Sequence, residues 1–456
     1  MLIQFSASNF LSFNEKESFS MTAGKARKFS NRVFNNRKQK LTKCKVILGA
    51  NASGKSNLIS AFHFFQNMIC TGLPRGFSNK YYRLNIDNKN KPSYFEIKVL
   101  CNDKVFTYGF SIMLSSGSIL SEYLYENTSA GSTKVLFDRD TVSETFKVGT
   151  YFKRADSISK LKNYGEDSAS DKEILFLSLI SKNKEKMFND FSELIILRNI
   201  FELFAINLNI SFPDSILTGY PYFTDSNLEE IAELLNALGT GISELKIVNV
   251  PREVIKNKIP EDLYDKIISD LEKANSKLND GDKDIPRVMV RLYKEFYTFE
   301  MNSDNELIIT TIEFSHEKKD IYFDLNEESD GTARLLDLIE ILFKISDNRV
   351  FIIDEIDRCL HPAMTVKIIE LFLEMAQRRN TQLIITTHES RLLAVDLLRN
   401  DEICFIYKNT KGESVINPLE KYQLRADKKI YAALFDGTIN AVPNFDKEKL
   451  KNITIR

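Results

Sequence analysis

Two short runs constrain this chain more than anything else in it. Gly49-Ala50-Asn51-Ala52-Ser53-Gly54-Lys55-Ser56 has the spacing of a phosphate-binding P-loop. Val350-Phe351-Ile352-Ile353-Asp354-Glu355, about 300 positions later, reads as a buried strand ending in two carboxylates. A loop that cradles phosphates and an acidic strand end that manages metal and water must stand side by side in one parallel sheet. Everything between them is therefore an insertion into a single nucleotide-binding α/β head, and the chain is expected to bind and hydrolyse ATP with Mg²⁺.

The residue types fit that chemistry. Gly49 and Gly54 let backbone amides curl round a phosphate without side chains in the way, and the helix that follows points its N-terminus at the negative charge. Lys55 is expected to reach the β and γ phosphates and Ser56 to ligate Mg²⁺, with Asn51, Ala52, Ser53 and Asn57 completing the cradle. Asp354 is expected to hold Mg²⁺ through water, and Glu355 to act as general base on the attacking water. The plain alternative for that pair is a strand ending in two solvated acids. His388 ends the apolar strand from Leu383 to Thr387, where it can contact the γ-phosphate, although a lone histidine at a strand end is often an ordinary surface residue. His361, seven residues past Asp354, is also notably placed, whereas His63 and His316 read as ordinary side chains. Glu328-Ser329-Asp330-Gly331-Thr332 offers a second helix N-terminus for an anion. Taken alone, that run favours a helix cap, with Asp330 or Thr332 as the capping residue.

Composition excludes several classes. At 456 residues, with 43% hydrophobic residues and a formal net charge of -1, the chain can bury a large core and carries no global field toward DNA or membrane. Nine Lys or Arg between Lys25 and Lys45, with no acid among them, form a local patch, read either as a DNA contact or as a solvated hairpin. The five cysteines lack the close pairs of metal or redox sites, which suits reduced thiols. No signal peptide and no apolar run of about 20 residues is present, so the expectation is a cytoplasmic protein without a membrane span.

The expected organisation has three parts. Residues 1–150 form the N-terminal lobe of the head, with the P-loop and an antiparallel β-meander over Tyr94–Val99, Val105–Phe110 and Ile119–Leu124. Residues 151–295 form a helical insertion, with helices over Ser170–Ile200, Asp225–Leu238 and Pro260–Leu278, the second capped by Asp225 or Ser226. Residues 296–456 form the C-terminal lobe, returning to strands over Tyr297–Phe323, then a helix over Thr332–Lys344, then strand, helix, strand, helix, strand over 350–409. No heptad pattern runs the three or four repeats of a coiled-coil arm.

The order of P-loop, Ser-x-Gly signature, Asp-Glu strand, Leu360-His361-Pro362 turn and Thr-His switch resembles the ABC-type ATPase heads of SMC proteins, recombination-repair ATPases and the overcoming-lysogenisation-defect family. Asn9 to Phe13, Gly49 to Asn57, Glu328 to Leu336, Asp354 to Pro362 and Ala441 to Phe445 look more closely like the stand-alone ATPases of bacterial abortive-infection and phage-defence loci. That group includes the ATPase subunit of the phage anti-restriction-induced system. The likeness covers about half of the chain, at its two ends. It implies a P-loop NTPase of ABC-ATPase, SMC-like head type with an inserted helical subdomain. It also implies a head-to-head dimer in which Ser329 and Gly331 of one subunit close on the γ-phosphate held by Lys55 of the other, and a base or ribose contact around Asn9 to Ser12.

Two departures matter. The glutamine that such heads place after the first helix is missing, since no Gln lies between Gln66 and Gln377; Glu96 is one candidate replacement, and slow hydrolysis is expected. The C-terminal nuclease of lysogenisation-family relatives is also not expected, because the residues after His388 carry no clustered acidic motif. The resemblance implies an ATP-gated sensor or scaffold that holds a separately encoded toxic effector during phage infection. The alternative is a DNA-repair ATPase acting directly on DNA through Lys25 to Lys45, a patch that a DNA-mimicking phage protein could share.

Overall fold

The computed structural model describes residues 1–456 except 27, 37–38, 129–130, 214–226, 277–285, 293–294, 303–304, 318–319, 344–347, 423–429, 436–438 and 440–456. The expected caps Asp225 and Ser226, the 441–445 motif, and Arg27, Arg37 and Lys38 of the basic run lie outside the described residues. Two compact units form, one from Met1–Ser215, Ile345–Asp357 and Thr365–Arg456, the other from Ile216–Lys344 and Arg358–Met364.

The larger unit is built from β1 (Leu2–Ser8), β2 (Glu17–Ser20), β3 (Cys44–Leu48), α1 (Lys55–Cys70), β4 (Ser93–Cys101), β5 (Lys104–Met113), β6 (Ser118–Asn127), β7 (Thr133–Asp140), β8 (Thr145–Val148), β9 (Leu208–Ser211), β10 (Val350–Ile353), β11 (Gln382–Thr386), β12 (Ile403–Lys408) and β13 (Ser414–Pro418). Seven strands make an antiparallel sheet in the order β8-β7-β6-β5-β4-β1-β2, so the expected meander exists and is two strands longer than the three runs that suggested it. Along β4 buried and half-buried residues alternate, as a sheet with one packed face requires.

The second sheet carries the nucleotide motifs. Its order is β9-β10-β11-β3-β12-β13, parallel from β9 through β12, with β13 antiparallel at the edge. Every residue of β3, β10 and β11 is buried, the near-continuous apolar signature of a covered parallel sheet. Ser211, Ile353, Ile385, Val46 and Ile403 lie in one row across it, so Asp354 leaves its strand at the same level as Thr386.

Helix α1 ties the two sheets together. Leu58, Ile59, Phe62, Phe64, Phe65, Met68 and Ile69 are buried around it, leaving polar residues such as His63 and Asn67 toward the surface. Phe62 stacks on Phe5 at 3.9 Å between ring centroids, Phe64 on Phe95 at 5.0 Å and Phe65 on Phe110 at 5.6 Å, and the same apolar cluster takes in Ile47, Ile352 and Ile384 of the parallel sheet.

The smaller unit is an antiparallel sheet with strand order Glu244–Asn249, Leu307–Ser315, Glu295–Met301, Arg287–Leu292, and Tyr322–Asp324 pairing on Leu307–Ser315. Helix Glu261–Asn275 packs Tyr264, Ile267 and Leu271 against Tyr297, Phe299, Met301 and Ile309.

Several expectations change. The stretch 151–295 holds the helices Ala155–Asp167, Phe176–Ser181, Glu185–Asp190, Ile195–Ala205, Leu228–Ala237 and Glu261–Asn275, but also β9 and two strands of the smaller unit's sheet. The compact units therefore divide near 215 and 344 rather than at 151 and 295. Periodicity cannot separate a four-residue apolar strand from a helical turn, which is why β9 escaped notice. The helix expected between β11 and β12 is replaced by two short 3-10 turns, Ser390–Leu393 and Asn400–Glu402. There Leu392, Leu397 and Leu398 are buried and Arg399 turns inward onto Asp401 at 2.6 Å. Among the described residues no helix is long and apolar enough to cross a membrane.

Candidate functional site

Strand β3 ends at Leu48 and the chain turns at once into the loop 49–54 before α1 begins. Both glycines are needed there. A Cβ on Gly49 would stand 2.2 Å from the carbonyl oxygen of Ile406, and one on Gly54, whose φ is 113°, would stand 2.2 Å from Ser414 Oγ. Gly54 is the N-cap of α1 and brings no side-chain cap, so the first-turn amides have no side chain of the cap residue in front of them. Ala52, at φ 61°, is also left-handed. The Ser53 hydroxyl is buried without a hydrogen-bond partner.

Lys55 is 5% exposed and donates to the carbonyls of Gly49 at 2.9 Å and Ala50 at 3.1 Å. Burial lowers its pKa, and the nearby carboxylates of Asp354, Glu355 and Asp357 pull it back toward the charged form.

Below the loop, Ser12 binds the first turn of α1 to the β12–β13 hairpin. Asn57 Nδ2 donates to Ser12 Oγ at 2.7 Å, Ser414 Oγ stands 2.7 Å from the same hydroxyl and 2.6 Å from the Ser53 carbonyl, and the Ser414 amide donates to the Ser12 carbonyl at 2.8 Å.

The acidic strand is held by its neighbour. Asp354 is 2% exposed; Thr386 Oγ1 donates to its Oδ1 at 2.5 Å and accepts the Glu355 amide at 2.8 Å. The Asp354 amide donates to the Ser211 carbonyl at 2.9 Å, so the unforeseen β9 braces this strand from its other side. Glu355 has φ 47°, a left-handed conformation that costs about 1 kcal/mol or more. The His388 amide donates to Asp357 Oδ2 at 3.2 Å, and its ring Nε2 lies 3.8 Å from Glu355 Oε1.

Asn51 to Asn57, Glu355, His388 and Lys408 line one cleft of about 830 Å³, within the size range of small-molecule sites. Lys408 and Thr386 are candidates that no sequence motif marks, whereas Ser12 lies in the segment expected to meet the base or ribose. Lys408 could have been found, because it ends an apolar strand and ligands lie beyond the carboxyl ends of parallel strands. The glycine cradle and the unpartnered Ser53 hydroxyl fit a phosphate chain. Among the described residues no group of three His, Cys, Asp or Glu could hold a metal; Ser56 lines the cleft, and Asp354, buried against Thr386, follows β10.

Other candidates sit elsewhere. Ser329 and Gly331 belong to the smaller unit, at the start of helix Asp330–Phe343, where Ser329 Oγ accepts the Thr332 amide at 3.0 Å. Ser329 is thus the cap, in place of Asp330 or Thr332. His361 Nδ1 accepts the Ala363 amide at 3.2 Å, a capping contact for helix Pro362–Ala376. Asn9 is 5% exposed and its side chain holds the carbonyls of Asn88 and Lys91 and the amide of Tyr82; neither it nor Ser12 lines the cleft. Glu96 lies on β4, bound by Tyr94 and Tyr123 at 2.6 and 2.7 Å, and is not among the residues that line the cleft.

The basic run is partly internal. Lys43 Nζ donates to the Ala376 carbonyl at 2.6 Å and Lys45 Nζ to the Asp401 carbonyl at 2.5 Å, both residues being buried, and Arg32 donates to the Leu397 carbonyl at 2.8 Å.

No curated protein matches the chain. Among solved structures it is similar to an SMC head bound to the C-winged helix domain of ScpA, at 14% identity and a TM-score of 0.40 over 92% of this chain and 99% of that one. It is also similar to the SMC head domain from Thermotoga maritima, at 14% and 0.32 over 91% and 98%. A third likeness is to the Smc head with an extended coiled coil bound to the C-terminal domain of ScpA, derived from Pyrococcus furiosus, at 14% and 0.34 over 92% and 97%. Likeness at this level assigns neither residues nor partners. A family model described as an AAA domain, putative AbiEii toxin, type IV TA system, matches residues 45–394, from β3 past His388. With the P-loop, the acidic strand and the strand bearing His388 all inside that match, the chain belongs to this family of AAA ATPases.

Proposed function

We propose that the chain binds MgATP in the cleft between loop 49–57 and Glu355–His388, hydrolyses it slowly, and uses ATP-dependent dimerisation to hold and release a separately encoded toxic effector in antiphage defence. The observation that carries the ATPase reading is the convergence of the buried Lys55, the glycine-lined loop, Glu355 and His388 on one cleft. The family's description, a putative toxin of a type IV TA system, supports a role in such a system, and the separately encoded effector is the part that the pull-down below tests.

In this reading Lys55 exchanges its two carbonyl acceptors for β and γ phosphate oxygens, which bind an ammonium more strongly. Glu355 takes the proton of a water as that water's oxygen bonds to the γ-phosphorus, and the bond to the ADP oxygen breaks. His388 donates to the γ-phosphate and, 3.8 Å from Glu355, links the presence of that phosphate to the position of the base. Ser56 and, through water, Asp354 would hold Mg²⁺, which would supply neutralisation of the phosphate charge. Ser329 and Gly331 of a second copy complete the site from across the dimer.

Direct action on DNA draws less support, since Lys43, Lys45 and Arg32 donate to the protein's own carbonyls. The test is a pull-down of the Glu355→Gln variant expressed with its neighbouring genes, with mass spectrometry for protein and nuclease digestion for DNA. A stoichiometric unrelated partner supports the scaffold reading; DNA without a partner replaces it with repair.

A further inference from the structure

The parallel sheet gives the cleft a direction. β3, which feeds the P-loop, has β11 on one side and β12 on the other, with β10 beyond β11. Glu355 follows β10 and His388 follows β11, so both hydrolytic candidates stand on the β11 side of the loop. Lys408 ends β12 and lines the same cleft from the opposite side. β12 runs hard against the loop there: Phe405 pairs with Leu48, and the next carbonyl, that of Ile406, fills the space beside Gly49.

A nucleoside triphosphate laid over the loop with its γ-phosphate at Glu355 and His388 must lead its nucleoside end the other way, toward β12. What it meets on that side is an exposed lysine whose Nζ donates to one carbonyl, that of Gly412, at 2.9 Å. Among the residues lining the cleft, Lys55 and Lys408 are the two lysines, and they stand on different elements, α1 and β12. An ammonium is a compact charge with three donors, suited to a phosphate oxygen or ribose hydroxyl and indifferent to the base.

We propose that Lys408 binds the α-phosphate and ribose end of the nucleotide, contributing to affinity for ATP and ADP alike, while Lys55 serves the β and γ phosphates. This rests on the nucleotide-binding reading above. Lys408 exchanges the Gly412 carbonyl for a phosphate oxygen, so the tip of the 409–413 turn responds to the nucleotide whichever phosphates it carries.

Calorimetric titration of Mg-ATP and Mg-ADP into wild type, Lys408→Ala and Lys408→Arg tests it, with melting of each protein without nucleotide alongside. The expected result is a loss of about tenfold in affinity, equal for ATP and ADP, in Lys408→Ala. Lys408→Arg should recover most of it, and the nucleotide-free melting temperatures should coincide. Wild type that binds both nucleotides while Lys408→Ala binds them equally well overturns the assignment and leaves the ATPase reading standing. A loss confined to ATP overturns it too, placing the lysine at the γ end. A loss that Arg does not recover and that accompanies lower nucleotide-free melting overturns it in favour of a role in folding the hairpin. Wild type that binds neither nucleotide overturns both readings.

Discussion

Thr386 holds Asp354 with the same hydroxyl that receives the Glu355 amide, so one buried side chain on β11 sets both carboxylates at the end of β10. Thr386→Val keeps the shape and removes both bonds. A loss of about 1–3 kcal/mol in stability is expected. Turnover should fall by roughly tenfold or more as the acidic pair loosens, with Thr386→Ser restoring both. Chemical denaturation and steady-state phosphate release check the two effects separately.

Lys55→Ala and Glu355→Gln should part company. The first removes the buried cation of the loop and should abolish ATP binding. The second keeps the shape of the side chain, abolishes the base, and should lower turnover by about 100-fold or more while retaining ATP. Light scattering with MgATP should then find dimers in Glu355→Gln and monomers in Lys55→Ala. Turnover by Glu355→Gln equal to wild type would remove that residue from the mechanism.

The two loop glycines differ in what surrounds them. Gly49→Ala meets a main-chain carbonyl at 2.2 Å, which a neighbour's side chain cannot relieve. Gly54→Ala meets the Ser414 side chain at 2.2 and 2.8 Å and also carries φ 113°. Both should lose nucleotide affinity. Adding Ser414→Gly should recover part of the loss for Gly54→Ala, where the backbone conformation still costs about 1–2 kcal/mol, and none for Gly49→Ala.

Burial pushes the Glu402 carboxyl from 4.5 up to about 7, with Asp401 adding to the rise and Arg399 opposing it. Its Oε2 accepts the Arg399 amide at 2.9 Å, and its Oε1 is buried without a partner. Because the folded value lies above the unfolded one, the contribution of this group to stability is full below about pH 4.5 and is lost as pH rises through about 7. Glu402→Gln cannot ionise. Its melting temperature should therefore gain on that of wild type by a few degrees between pH 5 and pH 8; a constant gap would show that Glu402 does not titrate in this range.

Much of this arrangement could be read from residues. The P-loop, the run Val350–Ile353 and the strand before His388 are long enough, apolar enough and bounded clearly enough to place three neighbouring strands and the side chains at their ends. What escaped is short or internal. β9 is a four-residue strand whose partner comes some 140 positions later, and nothing local marks it. The cap at Ser329 escaped because capping depends on where helix Asp330–Phe343 begins, which sequence places only within a few residues. Lys43 and Lys45 were counted as surface charge, since a lysine that satisfies buried carbonyls looks in sequence like one in water.

The placement of β3 between β11 and β12 has a consequence for synthesis on the ribosome. The strand that carries the P-loop is made early, yet both of its sheet neighbours, Gln382–Thr386 and Ile403–Lys408, are made after more than 330 further residues. Until those neighbours are made, a nascent chain displays this strand with both edges unpaired, the kind of segment that invites aggregation or a chaperone. The parallel pairing that frames the P-loop can form only after both later strands have been made.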